Sequence, residues 1–194
     1  MSSVGVDVAP IRSKLRRAPI RRIAVDTSVL AGYDRRVVVA AVATRHVRGF
    51  WSHWISAELV RTRTEWIAEQ AAKKGYDVRE LRQLESRSAV RVNSLINDLT
   101  QMLEAVDYGR APEADLSWLG DENDWPIMQT ALAAEADVLV TADCDHFPIG
   151  QVRNDVLILG PREFLDLLYE QDPEAQADIA DWLLLSGPPQ DSFL

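Results

Sequence analysis

The chain has 194 residues, enough for one well-buried domain and too few for two of ordinary size. Hydrophobic residues make up 47%, which is ordinary for a soluble globule, and no stretch approaches the roughly 20 apolar residues of a membrane span. The one cysteine, Cys144, excludes a disulfide framework, and the N-terminus lacks the apolar core of a signal peptide. These features predict a cytoplasmic protein without a membrane partner.

The net charge of −9 argues against a nucleic-acid partner, but its distribution along the chain does not. Residues 1–63 carry twelve Lys or Arg and four Asp or Glu, whereas residues 111–194 carry two and eighteen. This asymmetry fits a basic face for phosphates beside an acidic, metal-binding half. It equally fits a solvated surface with an acid-rich tail, and the charge alone leaves both interpretations open.

The N-terminal half of the chain predicts a basic arm followed by alternating strands and helices. The arm spans residues 1–20 and shows no clear periodicity. Ser56 is predicted as the N-cap of the long helix of this half, and Gly75 as its C-terminal stop. The predicted elements are a strand at about 21–26, a helical stretch at about 34–47, a short strand at about 50–54 and a helix at about 56–74.

The second half begins with apolar residues at helical spacing from about Val78 to Val106. They fit one long helix or a hairpin that breaks near Arg87 and Ser88. Residues 107–123 are predicted as a loop. The later predicted elements are a helix at about 126–135, strands at 137–142 and 156–159, a helix at 162–169 and an amphipathic segment at 175–185. Strands that alternate with helices predict an α/β domain with a mainly parallel sheet.

Four acids stand out by their context in this pattern. Asp26 and Asp143 each follow a short run rich in β-branched residues, which places them at the carboxyl end of a buried parallel strand. Glu58 and Asp124 fall at the start of predicted helices, where the helix dipole alone would account for a carboxylate. Together, four oxygen ligands without zinc-like Cys or His spacing suit Mg²⁺ or Mn²⁺. Two such ions could support in-line cleavage of a phosphodiester.

Several segments carry a family resemblance through their order and spacing. They are Val25–Leu30, Ile55–Arg61, Asp124–Ala133, Ala136–Asp143 and the later Ile158–Leu165. In this order they resemble the PIN-domain family of metal-dependent ribonucleases, in particular VapC-type toxins. The resemblance runs from about Arg21 to Tyr169, which is most of the chain. Each segment is degenerate by itself, and the specificity lies in the combination.

The resemblance implies a three-layer α/β/α sandwich whose acids hold metal and cleave RNA, leaving a 5′-phosphate and a 3′-hydroxyl. Carried over by position, the catalytic and metal-binding residues are Asp26, Glu58, Asp124 and Asp143. Thr27 or Ser28 would cap the first helix, and Thr141 would orient the ligands without binding the metal itself. Asp121 lies three residues before Asp124 and is an alternative ligand.

The resemblance also implies a domain at 21–170, preceded by the arm and followed by a helical extension at 171–194. An RNA substrate and a small antitoxin protein are the expected partners. The extension could cover the core, or it could mediate homodimer or antitoxin contacts, and core or dimer packing is favoured. Arg61 and Arg63 could hold RNA phosphates, or they could pair with nearby acids.

Other functions compete with the toxin hypothesis. A non-toxin RNA-processing nuclease would show the same residues, and a non-catalytic PIN-like scaffold would share the fold. A haloacid-dehalogenase phosphatase would need an aspartate at position 28, which is Ser28, and a receiver domain would need adjacent acids that are absent here. Among the remaining residues, His53 and His146 could shuttle protons, and Trp125 is the tryptophan best placed to stack on a base.

Overall fold

The computed structural model describes residues 19–32 and 34–186. The basic arm predicted for residues 1–20 therefore lies almost wholly outside the described residues. Within them, one six-stranded sheet runs through the centre of the protein. Its strands are β1 (Arg22–Val25), β2 (Arg48–Ser52), β3 (Glu104–Val106), β4 (Val138–Val140), β5 (Val152–Arg153) and β6 (Val156–Leu159). Their order is β3-β2-β1-β4-β6-β5, and only the β5–β6 pair is antiparallel.

Seven α-helices accompany the sheet in the described part of the chain. They are α1 (Thr27–Ala31), α2 (Arg35–Ala43), α3 (His53–Lys74), α4 (Val78–Met102), α5 (Trp125–Ala133), α6 (Pro161–Gln171) and α7 (Pro173–Leu185). Two short 3₁₀ helices, Tyr108–Arg110 and Glu122–Asp124, lie between β3 and α5. The predicted α/β class with a mainly parallel sheet is confirmed.

The path of the chain through the sheet creates a crevice beside β1. From β1 the chain steps outward to β2 and β3, and it then returns to add β4 and β6 on the other side of β1. Connections between parallel strands are right-handed as a rule, so connections that run in opposite directions along a sheet place their helices on opposite faces of it. This arrangement is consistent with a three-layer sandwich. The strand order reverses between β1 and β4, and open α/β sheets bind ligands at the carboxyl side of such a point.

The apolar residues of the two strands at this reversal are completely buried. Ile23, Ala24 and Val25 have no exposed surface, and the same is true of β4. Val25 pairs with Val140, and the amide of Asp26 extends the ladder by donating to the carbonyl of Val140 at 3.0 Å. Burial on both faces explains why both strands consist of uninterrupted apolar residues. The backbone of Asp26 is thereby fixed at the sheet edge.

The predicted N-cap of the long helix is wrong, while its predicted end is confirmed. Ser52, still paired with Val106 in the sheet, is the N-cap, and α3 begins at once with His53. The predicted cap, Ser56, lies inside the helix, where its hydroxyl donates to the carbonyl of His53 at 2.9 Å. Gly75 ends the helix with φ of 65°, a left-handed conformation that glycine adopts without strain.

The segment from Val78 to Val106 contains one helix and one strand. Helix α4 runs unbroken through Ser88, and Asp77 starts it with a capping box in which Glu80 is the partner. The strand β3, which helical spacing had concealed, forms because Glu104–Val106 pair with β2. The two-residue β5 was also missed, since it lies at the sheet edge and has no pattern of its own.

The described part of the predicted C-terminal extension covers the core. Helix α7 packs against α2 and α6, and it buries Ala175 and Ile179. The division into an arm, a domain and an extension stays a prediction. Within residues 19–32 and 34–186, the helices are too short or too polar to cross a membrane.

Candidate metal centre

Asp26 is a nearly inaccessible carboxylate at the end of β1. The residue is 2% exposed. Its Oδ2 accepts hydrogen bonds from the hydroxyls of Ser28 (2.6 Å) and Thr141 (2.7 Å). Burial raises the pKa of Asp26, the two hydrogen bonds oppose the rise, and the charge of Glu58 adds to it. A negative charge at this position is costly unless a cation lies close to it.

Ser28 and Thr141 connect β1 to the loop after β4. The Ser28 hydroxyl accepts from the amide of Ala142 at 2.9 Å, and the Thr141 hydroxyl accepts from the amide of Asp143 at 3.0 Å. Since both hydroxyls also donate to Asp26, the position of Asp143 is tied to that of Asp26. The predicted orienting role of Thr141 therefore has a hydrogen-bonded basis, whereas Ser28, predicted as an alternative cap of α1, makes no side-chain cap there and bonds to Asp26 and Ala142 instead.

Glu58 joins the group from the second turn of α3. The prediction that it lies in the first turn is wrong, because α3 begins five residues earlier. The helix dipole therefore does not account for Glu58, because its stabilisation of a carboxylate is confined to the first turn of a helix. Its Oε2 accepts from the hydroxyl of Thr27 at 2.8 Å, and its Oε1 lies 3.2 Å from Arg61 Nη2. Thr27 thus orients Glu58 and makes no side-chain cap for α1.

Asp124, directly before α5, and Asp143, in the loop after β4, both lie close to His146. The Nδ1 atom of His146 lies 2.9 Å from Asp143 Oδ2 and 3.3 Å from Asp124 Oδ2. One ligand atom from each of the three residues falls within 4.8 Å of the other two. Asp143 also accepts from the amides of Asp145 and His146, which holds its loop closed. Such spacing suits a shared cation.

Crowding of negative charge is evident at Asp124. Burial is the main cause that raises the pKa of Asp124 to about 6, and Asp121, Asp143 and Asp26 raise it further while His146 lowers it. Its Oδ2 atom is buried and has no hydrogen bond, because His146 lies at ion-pair distance only. A buried carboxylate oxygen without a hydrogen-bond donor is the kind of atom that a metal ion satisfies.

Asp121 and Asp124, the two candidate ligands of this loop, differ in their side-chain contacts. Asp121 precedes a 3₁₀ helix, and its Oδ1 accepts from both the backbone amide and the side-chain amide of Asn123, each at 2.9 Å. Asp124 instead lies with Asp143 and His146. Oδ1 of Asp121 therefore caps the 3₁₀ helix, and the charge of Asp121 still acts on Asp124.

The two arginines on α3 have different surroundings. Arg61 is about half exposed and pairs with Glu58 at the edge of the crevice. Arg63 contacts the neighbouring helix instead, since its Nε donates to Ser88 at 3.0 Å and its guanidinium lies 4.2 Å from the ring centre of Trp66. Of the two, Arg61 is the one beside the acids.

Sequence reasoning gave His146 a proton-shuttle role and missed it as a possible ligand. The charges of Asp143 and Asp124 raise the pKa of His146, so a protonated imidazole can neutralise part of the acid cluster. The available signal was the spacing Asp143-x-x-His146 in a short loop. This spacing lacks the paired cysteines and histidines of a zinc-like cluster, so it is a weak signal in the sequence.

The residues brought together here suit a hard divalent cation. Asp124 and Asp143 supply oxygen atoms at ligand spacing with a histidine beside them, and Asp26 and Glu58 lie outside this tightest group. Asp26 is nevertheless linked to Asp143 through Thr141. Carboxylates suit Mg²⁺ and Mn²⁺, and the adjacent imidazole is compatible with the softer Mn²⁺.

No model of a known protein family matches the chain, and no curated protein matches it either.

Proposed function

We propose that the protein is a divalent-metal-dependent endoribonuclease with a PIN-like fold. The observation that carries the proposal is the convergence of Asp26, Glu58, Asp124 and Asp143, from four separate segments, on the sheet edge between β1 and β4. The buried and unbonded Oδ2 of Asp124 supports a cation at this place. The order of the segments that resemble PIN-domain ribonucleases supports RNA as the substrate class.

The acids divide into metal ligands and neighbours in the proposed reaction. Asp124 and Asp143 hold Mg²⁺ or Mn²⁺, and the charge of Asp26 adds to the negative environment of Asp124. Bound divalent cations supply Lewis acidity toward a phosphodiester and neutralise its charge. Thr141 and Ser28 hold Asp26 and the Asp143 loop in fixed positions relative to each other, and Thr27 orients Glu58. Arg61 is placed to contact a phosphate once Glu58 turns toward a metal ion.

The biological setting follows as part of the same proposal. The protein acts as the toxin of a toxin–antitoxin pair, and a small antitoxin protein is its regulatory partner. The resemblance to VapC-type toxins supports this assignment. An adjacent reading frame for a small antitoxin is the genetic observation that would separate it from an RNA-processing role.

The enzyme assignment is tested by RNA cleavage with Mg²⁺ or Mn²⁺, with and without a chelator. Wild-type protein should cleave single-stranded RNA only with metal and should leave 5′-phosphate ends. Asp143→Asn should reduce cleavage to background, whereas Asp145→Asn should leave it within about twofold, because Asp145 is an exposed acid two residues along. Cleavage that persists in the chelator, or in Asp143→Asn, contradicts the proposal.

A further inference from the structure

The sheet edge that carries the acids continues into an aromatic cluster at β2 and β3. His53 directly follows β2, and Tyr108 comes two residues after β3. Their ring centres are 4.9 Å apart with an angle of 33° between the planes. Trp54 contacts Tyr108 edge-on, with ring centres 6.4 Å apart. Because β2 and β3 are parallel neighbours, the topology brings these rings to the same edge as the acids.

The outer member of this cluster is open to solvent. His53 is exposed and Tyr108 is half-buried, whereas Trp54 packs against the core. Among the described residues, neither ring nitrogen of His53 has a hydrogen-bond or ion-pair partner. An aromatic residue that only fills the core would be buried, so packing accounts for Trp54 better than for His53. The pair His53–Tyr108 is a supported ring platform at the surface.

The position of the platform fits a strand of nucleic acid that passes through the acid site. His53 and Glu58 lie on the same helix five residues apart, which is about 7.5 Å along its axis and about 140° around it. Stacked nucleotides advance roughly 3.4 Å each along a strand, so this axial rise corresponds to about two nucleotides. A strand that reaches both residues therefore has to turn around the first turns of α3.

Two exposed arginines flank the same route. Arg61 is about half exposed beside Glu58, and Arg110 follows Tyr108 by two residues with its side chain 86% exposed. Arg110 lies 3.4 Å from Asp107, an exposed pair that a phosphate can displace at small cost. Cations beside aromatic rings are the usual combination in single-strand binding sites.

We propose that His53 and Tyr108 form a subsite that stacks an unpaired base of single-stranded RNA, with Arg61 and Arg110 contacting the adjoining phosphates. The subsite rests on the proposed ribonuclease function and adds the residues that recognise an unpaired base. Bases in a duplex are stacked on each other and do not present their faces, so the platform selects single-stranded segments. Trp125, the aromatic residue expected from the sequence, is half-buried in core packing and is not part of this platform.

The test measures RNA binding in an Asp143→Asn background, which prevents cleavage. The probe is a short fluorescein-labelled single-stranded RNA of mixed sequence, compared with the same strand annealed to its complement. Tyr108→Leu and His53→Ala should weaken single-strand binding by roughly 5- to 150-fold, the range of one lost base stack. Tyr108→Phe and His53→Tyr keep a ring and should bind within about threefold of the parent. Tyr76→Leu is the matched control, since Tyr76 is an exposed tyrosine at the far end of α3.

The outcomes separate the subsite from the enzyme. The subsite is supported if Tyr108→Leu and His53→Ala weaken binding of the single strand with little change for the duplex, and if Tyr108→Phe and His53→Tyr retain single-strand binding. Equal loss for both probes, or no loss in Tyr108→Leu, overturns it. If wild-type protein cleaves RNA with Mn²⁺ while the platform variants bind RNA normally, the proposed subsite is wrong and the proposed nuclease function is retained. If wild-type protein neither cleaves nor binds RNA, both fall.

Discussion

Asp26 is the residue at which stability and the proposed chemistry conflict most directly. Its side chain is almost inaccessible, and burial raises the pKa of its carboxyl group. Two hydroxyl groups, from Ser28 and Thr141, donate to a single oxygen of that carboxylate. This support is weaker than a paired positive charge, so an ionised Asp26 in the metal-free protein is an incompletely compensated buried charge.

We therefore expect Asp26→Asn to stabilise the metal-free protein while abolishing cleavage. The asparagine carbonyl can still accept from both hydroxyls, and the buried charge is gone, so the free energy of unfolding should rise by about 1 kcal/mol at pH 8. Because the folded-state pKa of Asp26 is raised, the gain should shrink as the pH falls through it and the wild-type carboxyl becomes protonated. Urea unfolding at several pH values measures this.

Asp34→Asn is the control for that experiment. Asp34 is an exposed N-cap of α2 without a side-chain cap hydrogen bond, so its substitution should change stability by a few tenths of a kcal/mol at most. A loss of stability in Asp26→Asn at pH 8 would mean that the carboxylate is better compensated than its burial indicates.

Individual site residues differed in how far the sequence could predict them. Asp26 was predictable because an apolar run and a following hydroxyl residue mark a strand end. Asp124 was preferred to Asp121 only by its position in the family resemblance, since either acid could begin a helix; the structure adds that both Asn123 amides donate to Asp121 Oδ1. His146 depends on a loop conformation that no periodicity encodes.

At the scale of elements, helix α3 shows why local signals misplaced a boundary. Ser56 has the chemistry of an N-cap, but the helix starts at His53 because β2 ends at Ser52. Strand β3 is the corresponding case for sheets, since Glu104–Val106 continue a helical pattern and become a strand only through pairing with β2. Both outcomes depend on long-range pairing, which overrides local propensity.

The C-terminal helix α7 is fastened to the rest of the fold by a histidine between two acids. His46 lies between α2 and β2, and its Nδ1 and Nε2 atoms are 2.6 Å from Asp172 and 3.0 Å from Asp178. Burial lowers the pKa of His46, but the hydrogen bonds and charges of both acids outweigh it and leave the pKa raised. Only the protonated ring can donate to both carboxylates at once.

This contact should make the stability of the fold depend on pH. Because the folded-state pKa of His46 is raised, its contribution is fully present below the ordinary pKa of 6.5 and is lost as the pH rises through the folded value. His46→Ala should therefore cost about 1 kcal/mol more at pH 5.5 than at pH 9, a range expected for partly exposed ion pairs. Urea unfolding across this range is the measurement.

Asp178→Asn should remove part of that pH dependence, whereas Asp181→Asn, an exposed acid three residues along the same helix, should leave it unchanged. An equal cost of His46→Ala at both pH values would show that the ring acts by packing alone.

At the scale of the whole molecule, the architecture was the most predictable feature. Buried runs such as Ile23–Val25 and Val138–Val140 mark central parallel strands whatever their partners are. The alternation of these strands with helices indicated the α/β class. The order of the strands, and with it the crevice between β1 and β4, comes from crossovers that a linear pattern does not specify.

The distribution of charge over the molecule leads to a thermodynamic test of the metal site that needs no RNA. The acid-rich half supplies Asp124 and Asp143, whose mutual repulsion destabilises the metal-free fold and is relieved by a cation. A ligand that binds only the folded state stabilises it by RT ln(1 + [L]/Kd), which is about 2.7 kcal/mol at one hundred times Kd. Saturating Mn²⁺ should therefore raise the unfolding midpoint of wild-type protein, and Mg²⁺ should do so at higher concentration.

Asp143→Asn should lose most of this metal-dependent shift because it removes one of the two carboxylates at ligand spacing, whereas Asp145→Asn should retain it. Thermal unfolding with and without metal compares the three proteins directly. An equal shift in all of them would mean that the cation binds elsewhere on the acidic surface, which would remove the metal from the β1–β4 crevice even if cleavage were observed.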